Sequence, residues 1–263
     1  MAENSNATIE AAPREGAPPV ATAPEPPDAF DYSSIPPGHY DLAFRRGRGV
    51  QSKWHHLKFQ RVVDQIGDSR RVLDVGCGPG TLLGMLDDSH ECVGVDITHQ
   101  QIDYASDVYG NERRSFYACA LQELPTGLRQ FDVITAVELI EHLPQELVCE
   151  TLTDAVGRLR PGGKLVLTTP NYRSAWPLVE RFVDRLGDVE YYVQHINKFT
   201  RGRLRSLCED LGLEGVEVKP YLFVAPFAAA LGWSAADRVA RIEAGPIERR
   251  FGLIMMATGT KPG

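Results

Sequence analysis

The chain has 263 residues, 43% hydrophobic and 24% charged, enough for one sizeable α/β domain with additions. A formal net charge of −7 argues against a general nucleic-acid binder. No apolar run approaches the roughly 20 residues that a membrane-spanning helix requires. The five cysteines (77, 92, 119, 149 and 208) are odd in number, scattered and free of any Cys-x-x-Cys pair, as expected of reduced thiols in a cytoplasm.

Residues 1–37 carry eight of the 18 prolines and almost no large apolar side chain before Phe30, which predicts a disordered tail. A basic stretch followed by an apolar one is absent there, so a secretory signal is not expected. The domain proper should then occupy 38–263. Between Arg45 and Arg61 stand six basic residues and no acid. Trp54, Leu57, Phe59, Val62, Val63 and Ile66 recur at helical spacing and predict a helix over about 52–66. Two readings stay open for it: an amphipathic helix on the sheet edge with solvated lysines, or a basic wall that lines a ligand mouth and meets an anionic group.

Arg71 to Val75 reads as a buried parallel strand, broken by glycines at 76, 78 and 80 before Thr81-Leu82-Leu83 opens a helix. Glycine permits positive φ and removes the Cβ atoms that would block a bound group. Tight strand-to-helix turns need glycine in any case, so the flanking residues decide. Asp74 stands in the strand end, where it would repel a pyrophosphate and attract an ammonium or sulfonium. A second strand, Glu91 to Asp96, ends in an acid 20 residues past Gly76, placed to accept both hydroxyls of a ribose.

The spacing Asp-x-Gly-x-Gly-x-Gly followed by a strand-end Asp resembles the class I S-adenosylmethionine (SAM)-dependent methyltransferases. That resemblance implies a doubly wound, Rossmann-like α/β fold with a seven-stranded sheet, mostly parallel, whose final strand is antiparallel. It implies SAM as cofactor, held by Asp74, Gly76, Gly78, Gly80, Asp96, Ile97, Ala120, Leu121 and Val137. Ile97 would lie against the adenine, the alternative being ordinary core packing. Family members often carry an acid after the third strand, here Ser115 to Cys119. The residues that follow are Ala120-Leu121-Gln122, which leaves adenine to backbone groups or to Gln122.

Thr98 can cap a helix over about 98–108, and Phe131 to Ala136 reads as the fourth strand. Pro144 opens a helix that Arg160-Pro161-Gly162-Gly163 ends, and Lys164 to Thr169 is the fifth strand. Insertions that could cap a substrate are expected at about 171–198, with a helix over Trp176 to Leu186, and at about 225–246. A helix near Thr200 to Leu211 precedes two closing strands, Gly215 to Val224 and Phe251 to Thr258. Tyr221 to Trp233 is thirteen residues without a charge. A buried helix is the default there; a wall around an apolar substrate, or a peripheral membrane contact, is the alternative.

Strand four exits into Glu138-Leu139-Ile140-Glu141-His142 on the carboxyl edge, where ligands bind in doubly wound sheets. With His195, these make an O/N donor set that suits Mg²⁺ or Mn²⁺. Glu-x-x-Glu-His with a later His-x-x-x-aromatic-Thr resembles the metal-dependent small-RNA 2′-O-methyltransferases and, more loosely, ubiquinone-pathway O-methyltransferases. By that resemblance Glu138, Glu141, His142 and His195 would hold a divalent ion. The metal-free alternative makes His142 or His195, with Glu141, the general-base machinery. In it Glu138 only positions the methionine end of SAM, and Glu141 is an acid favourable to a helix start. The expected activity is O-methylation of a small or lipid-like hydroxylated molecule. RNA 2′-O-methylation and a lapsed SAM-binding partner protein are the competing readings.

Overall fold

A computed structural model of the chain describes residues 32–186 and 195–263. Helices α1 (His39–Arg45) and α2 (Gly49–Ile66) precede β1 (Arg71–Val75), α3 (Thr81–Gly84), β2 (Glu91–Asp96), α4 (His99–Tyr109) and β3 (Arg114–Ala118). Then come β4 (Phe131–Val137), α5 (Gln145–Arg158), β5 (Leu159–Pro170), α6 (Trp176–Leu186) and α7 (Arg201–Asp210). The chain closes with β6 (Glu214–Tyr221), α8 (Trp233–Glu243), α9 (Pro246–Phe251) and β7 (Ile254–Thr260). The seven strands form one sheet in the order β3-β2-β1-β4-β5-β7-β6. The strands from β3 to β5 are mutually parallel, and β7 runs antiparallel to both β5 and β6.

The central strands are apolar on both faces because helices cover both. Leu73, Ile134 and Leu165 join one cluster with Val148, Leu152 and Ala155 of α5 and Leu204 of α7. Their neighbours Val72, Val133 and Val166 join the other, with Val62 and Ile66 of α2 and Leu82 and Leu83 of α3. Alternate residues thus serve opposite faces, as the pleat dictates. The strand order reverses between β1 and β4, and the carboxyl ends of these strands open there into a crevice.

Several expectations shift. The tail boundary at 37 is too late: Tyr32–Ser34 forms a 3₁₀ turn and Ile35 is buried, its carbonyl accepting from Gln100 (2.9 Å) and Gln101 (3.1 Å). The tail before Tyr32, and residues 187–194 of the first insertion, lie outside the described residues. The Pro-Gly-Gly turn is an irregular entry into β5 rather than a break before it. Gly162 N–H donates to Lys261 O at 2.9 Å, and Lys261 N–H to Gly163 O at 2.8 Å, so the terminal segment pairs with it. Phe251 ends a helix rather than starting a strand.

The lysines of α2 are not solvated. Lys53 is buried, with its ammonium 2.5 Å from Asp237 Oδ1 and 4.3 Å from the Trp233 ring centroid, and Lys58 is buried too. Arg61 reaches Glu248 at 3.1 Å. The second insertion supplies Asp237 and the following α9 supplies Glu248 to the basic helix, so its positive face turns inward. Tyr221 to Trp233 is likewise not a buried helix. Leu222 adopts φ 60°, only Phe227–Leu231 makes a 3₁₀ turn, and Leu231 is 87% exposed. Pro226 and Gly232 bracket and limit that turn. Buried Glu243 holds the loop by accepting from Val224 N–H (2.9 Å) and Ala225 N–H (3.1 Å).

Candidate active site

The loop after β1 bends because Gly76, Gly78 and Gly80 all take positive φ. A Cβ on Gly76 would strike Leu139 at 2.8 Å, so this glycine serves packing; a Cβ on Gly78 would meet nothing within 4 Å and faces the open crevice. Gly76 and Cys77 N–H both donate to Val95 O (2.8 and 3.1 Å), which ties the loop to β2. Asp96 accepts from Gly78 N–H at 2.9 Å and Thr98 N–H at 2.8 Å, fixing its carboxylate at the crevice. Asp74 is buried and accepts from the Thr135 hydroxyl at 2.6 Å. Burial pushes its carboxyl up to about 7, the hydrogen bond from Thr135 opposes, and the charge of Asp96 adds to the rise.

Ile97 is 64% exposed and lines the cavity, which excludes the core-packing alternative. Ala120, Leu121 and Gln122 line the same cavity, and so does Val137 at the end of β4. The Gln122 amide donates to Thr151 at 3.4 Å. Sequence reasoning missed what holds the loop from outside. Buried Asp41 of α1 accepts from the hydroxyls of Thr81 (2.9 Å), Tyr104 (2.8 Å) and Tyr109 (2.6 Å), and pairs with Arg45 at 2.8 Å.

The cavity, about 760 Å³, runs past this loop to a second, more aromatic end lined by Tyr32, Tyr40, Trp54, Phe59, Trp176 and Phe227. The Trp54 ring lies 5.6 Å from Trp176 and 6.3 Å from Phe227, centroid to centroid. His142 and His195 line the same cavity, and their ligand atoms and one of Glu141, which is fully buried and off the cavity wall, lie within 4.8 Å of one another. The His142 and His195 rings are 4.9 Å apart, and Tyr32 packs edge-on against His142 at 5.7 Å.

Glu138 does not join that group. It holds a left-handed φ of 54°, a conformation costly for a non-glycine residue, and its Oε1 accepts from the Thr168 hydroxyl at 2.9 Å. Nor is Glu141 an exposed acid at a helix start: it is 0% exposed, four residues ahead of α5. Among the described residues no donor reaches either of its oxygens in hydrogen-bond geometry. Burial raises its carboxyl well above the ordinary range, and the charge of Glu138 raises it further; its own N–H, the nearby Thr169 hydroxyl and Lys58 act against this.

Glu180 of α6 is a partner that sequence reading did not single out. Its Oε1 lies 2.5 Å from His195 Nδ1 and accepts from the Tyr172 hydroxyl at 2.9 Å and from Trp176 Nε1 at 3.3 Å. Burial alone would raise this carboxyl, but those donors and the His195 charge hold it below the ordinary range. A carboxylate on one ring nitrogen fixes the imidazole and makes its other nitrogen a better base or ligand. The available signal was Trp176 and Glu180 at i and i+4, which share a helix face.

A family model described as a methyltransferase domain matches residues 47–218. The chain is 34% identical to the ubiquinone biosynthesis O-methyltransferase of Coxiella burnetii over 105 residues, 39% of this chain and 44% of that protein. It therefore spans less than half the length of that relative. A SAM-dependent methyltransferase from Archaeoglobus fulgidus superposes with a TM-score of 0.60 at 19% identity, covering 85% of this chain and all of that one. The plantazolicin methyltransferase BpumL, solved in complex with SAH, has a TM-score of 0.55 at 16% identity over 86% of this chain and 87% of that one. The loop geometry, the sheet order and the family match agree: this chain belongs to the class I SAM-dependent methyltransferases.

Proposed function

We propose that the enzyme methylates a hydroxyl on a small or lipid-like molecule with an apolar body. The observation that carries this reading is that His142 and His195, within 4.8 Å of Glu141, line one continuous cavity together with the glycine loop and the aromatic end. SAM supplies an activated methyl, so the chain must chiefly bring an acceptor oxygen into line. Such positioning can be worth about 7–11 kcal/mol. Trp54, Trp176 and Phe227 would grip the apolar body, and Asp74 and Asp96 would receive the ammonium and ribose of the cofactor. A base on the acceptor hydroxyl adds about 10²–10⁴-fold.

Glu141, His142 and His195 also fit a divalent cation such as Mg²⁺ or Mn²⁺. The unpartnered, fully buried Glu141 oxygens support this, as does a carboxylate behind His195. Bound there, the cation would polarise the acceptor oxygen and ease loss of its proton. Three residues would hold it, without Glu138. The aromatic lining and, among the described residues, the lack of any arginine along the cavity favour a small acceptor over RNA. Labelled-methyl SAM offered to lipid, small-molecule and RNA fractions tests this. Label in the first two, as an ether, is expected. Label in RNA would favour the competing enzyme reading, and cofactor binding without any transfer would favour the lapsed one.

A further inference from the structure

Lys58 is 8% exposed and lines the cavity, yet among the described residues it makes no ion pair and no hydrogen bond. Lysine is almost never buried without a partner, because an ammonium stripped of water is costly. The other basic residues of α2 show the contrast: Lys53 has Asp237, and Arg61 has Glu248. Lys58 shares a helical stripe with Val50, Gln51, Trp54, His55 and Phe59, all on the cavity wall, and its ammonium lies 5.1 Å from the Phe59 ring. Among the described residues no other lysine and no arginine lines the cavity.

We propose that Lys58 is the anchor for a carboxylate on the acceptor, so that the preferred substrates are hydroxylated aromatic or acyl acids rather than neutral molecules. This rests on the aromatic end of the cavity being the acceptor chamber. One isolated ammonium matches a single negative charge, where a phosphate dianion would call for a second cation or an arginine fork. The SAM carboxylate is the other candidate for the same ammonium. Position favours the acceptor: Lys58 stands one helical turn from Trp54, and its ammonium lies 5.1 Å from the Phe59 ring, both in the aromatic end. The acid would thus be held by α2 while its hydroxyl reaches His142 and His195.

The test titrates coumarate, caffeate and hydroxydodecanoate, each beside its methyl ester, into SAH-saturated enzyme by calorimetry. Acids should bind roughly 10- to 100-fold tighter than esters to the native chain, the range for a charge-assisted contact. Lys58→Met should bring that ratio to near one with SAH affinity unchanged, and Lys58→Arg should restore part of it. A native ratio near one overturns the proposal, and suffices if Lys58→Met does not fold. Loss of SAH affinity with the ratio intact would give the ammonium to the cofactor. A preserved ratio with SAH affinity unchanged would leave Lys58 only a counter-charge to Glu141. Because binding is read without turnover, a failed hydroxyl-methylation assay would leave this result standing.

Discussion

The two ends of the cavity are built differently. The end proposed for the cofactor comes mostly from one contiguous stretch, Asp74 to Thr98, and presents backbone N–H groups, glycines at positive φ and two strand-end acids. The end proposed for the acceptor is assembled from side chains of α2, the β4–α5 turn, the first insertion and the 3₁₀ turn after β6. The first end is thus set by backbone that the sheet holds, and the second by side chains. Substitutions at the two ends should therefore separate cofactor affinity from turnover.

The largest effect should come from Gly78→Val. A branched side chain at φ 50° is strained and would project into open cavity, so SAH affinity should fall by at least ~100-fold in calorimetry while the fold persists. Next, His195→Gln should lower turnover by about 10²–10⁴-fold. If a cation is used, complete chelation of the native enzyme should do the same, with turnover returning on adding Mn²⁺. Activity that survives chelation would leave a histidine base as the better account.

Asp74→Asn should weaken SAH binding by roughly 10- to 100-fold, the value of a contact to a charged group. Its pH behaviour is sharper. The folded carboxyl sits at about 7 against an ordinary 3.8, so the fold holds this proton more tightly than the unfolded chain does. The resulting stability is fully present below about pH 4 and lost as pH rises through about 7. Asp74→Asn should accordingly raise Tm at pH 8 and change it little near pH 4. Native cofactor affinity should decline as pH falls below about 7, and the variant should lose that dependence.

How much of this was legible in the sequence follows the same division. Asp74, the three glycines and Asp96 sit at fixed short spacings, so their placement could be read from strand ends alone. The acceptor end depends on contacts made across the chain. Lys53 and Arg61 meet their acids 184 and 187 residues away, so a charge pattern on α2 read by itself left a solvated face and a ligand-facing wall both open. Glu138 and Glu141 look equivalent in Glu-x-x-Glu-His, and only the left-handed φ at Glu138 turns its carboxylate to Thr168. Glu180 acquires meaning when α6 folds over His195.

Smaller effects sharpen the division. Glu180→Gln leaves the His195 ring packed but weakens its charged partner, and should cost about 10- to 100-fold in turnover with SAH affinity unchanged. Leu231→Ser, on an exposed position of the 3₁₀ turn, should shift stability by no more than about 0.5 kcal/mol.

The most direct test is calorimetric titration of SAH into the Glu141→Gln, His195→Gln double variant. Affinity within about threefold of the native value is the predicted result, since neither side chain belongs to the cofactor end. A loss comparable to that of Gly78→Val would contradict the division into two ends and place the Glu141–His195 group in cofactor binding.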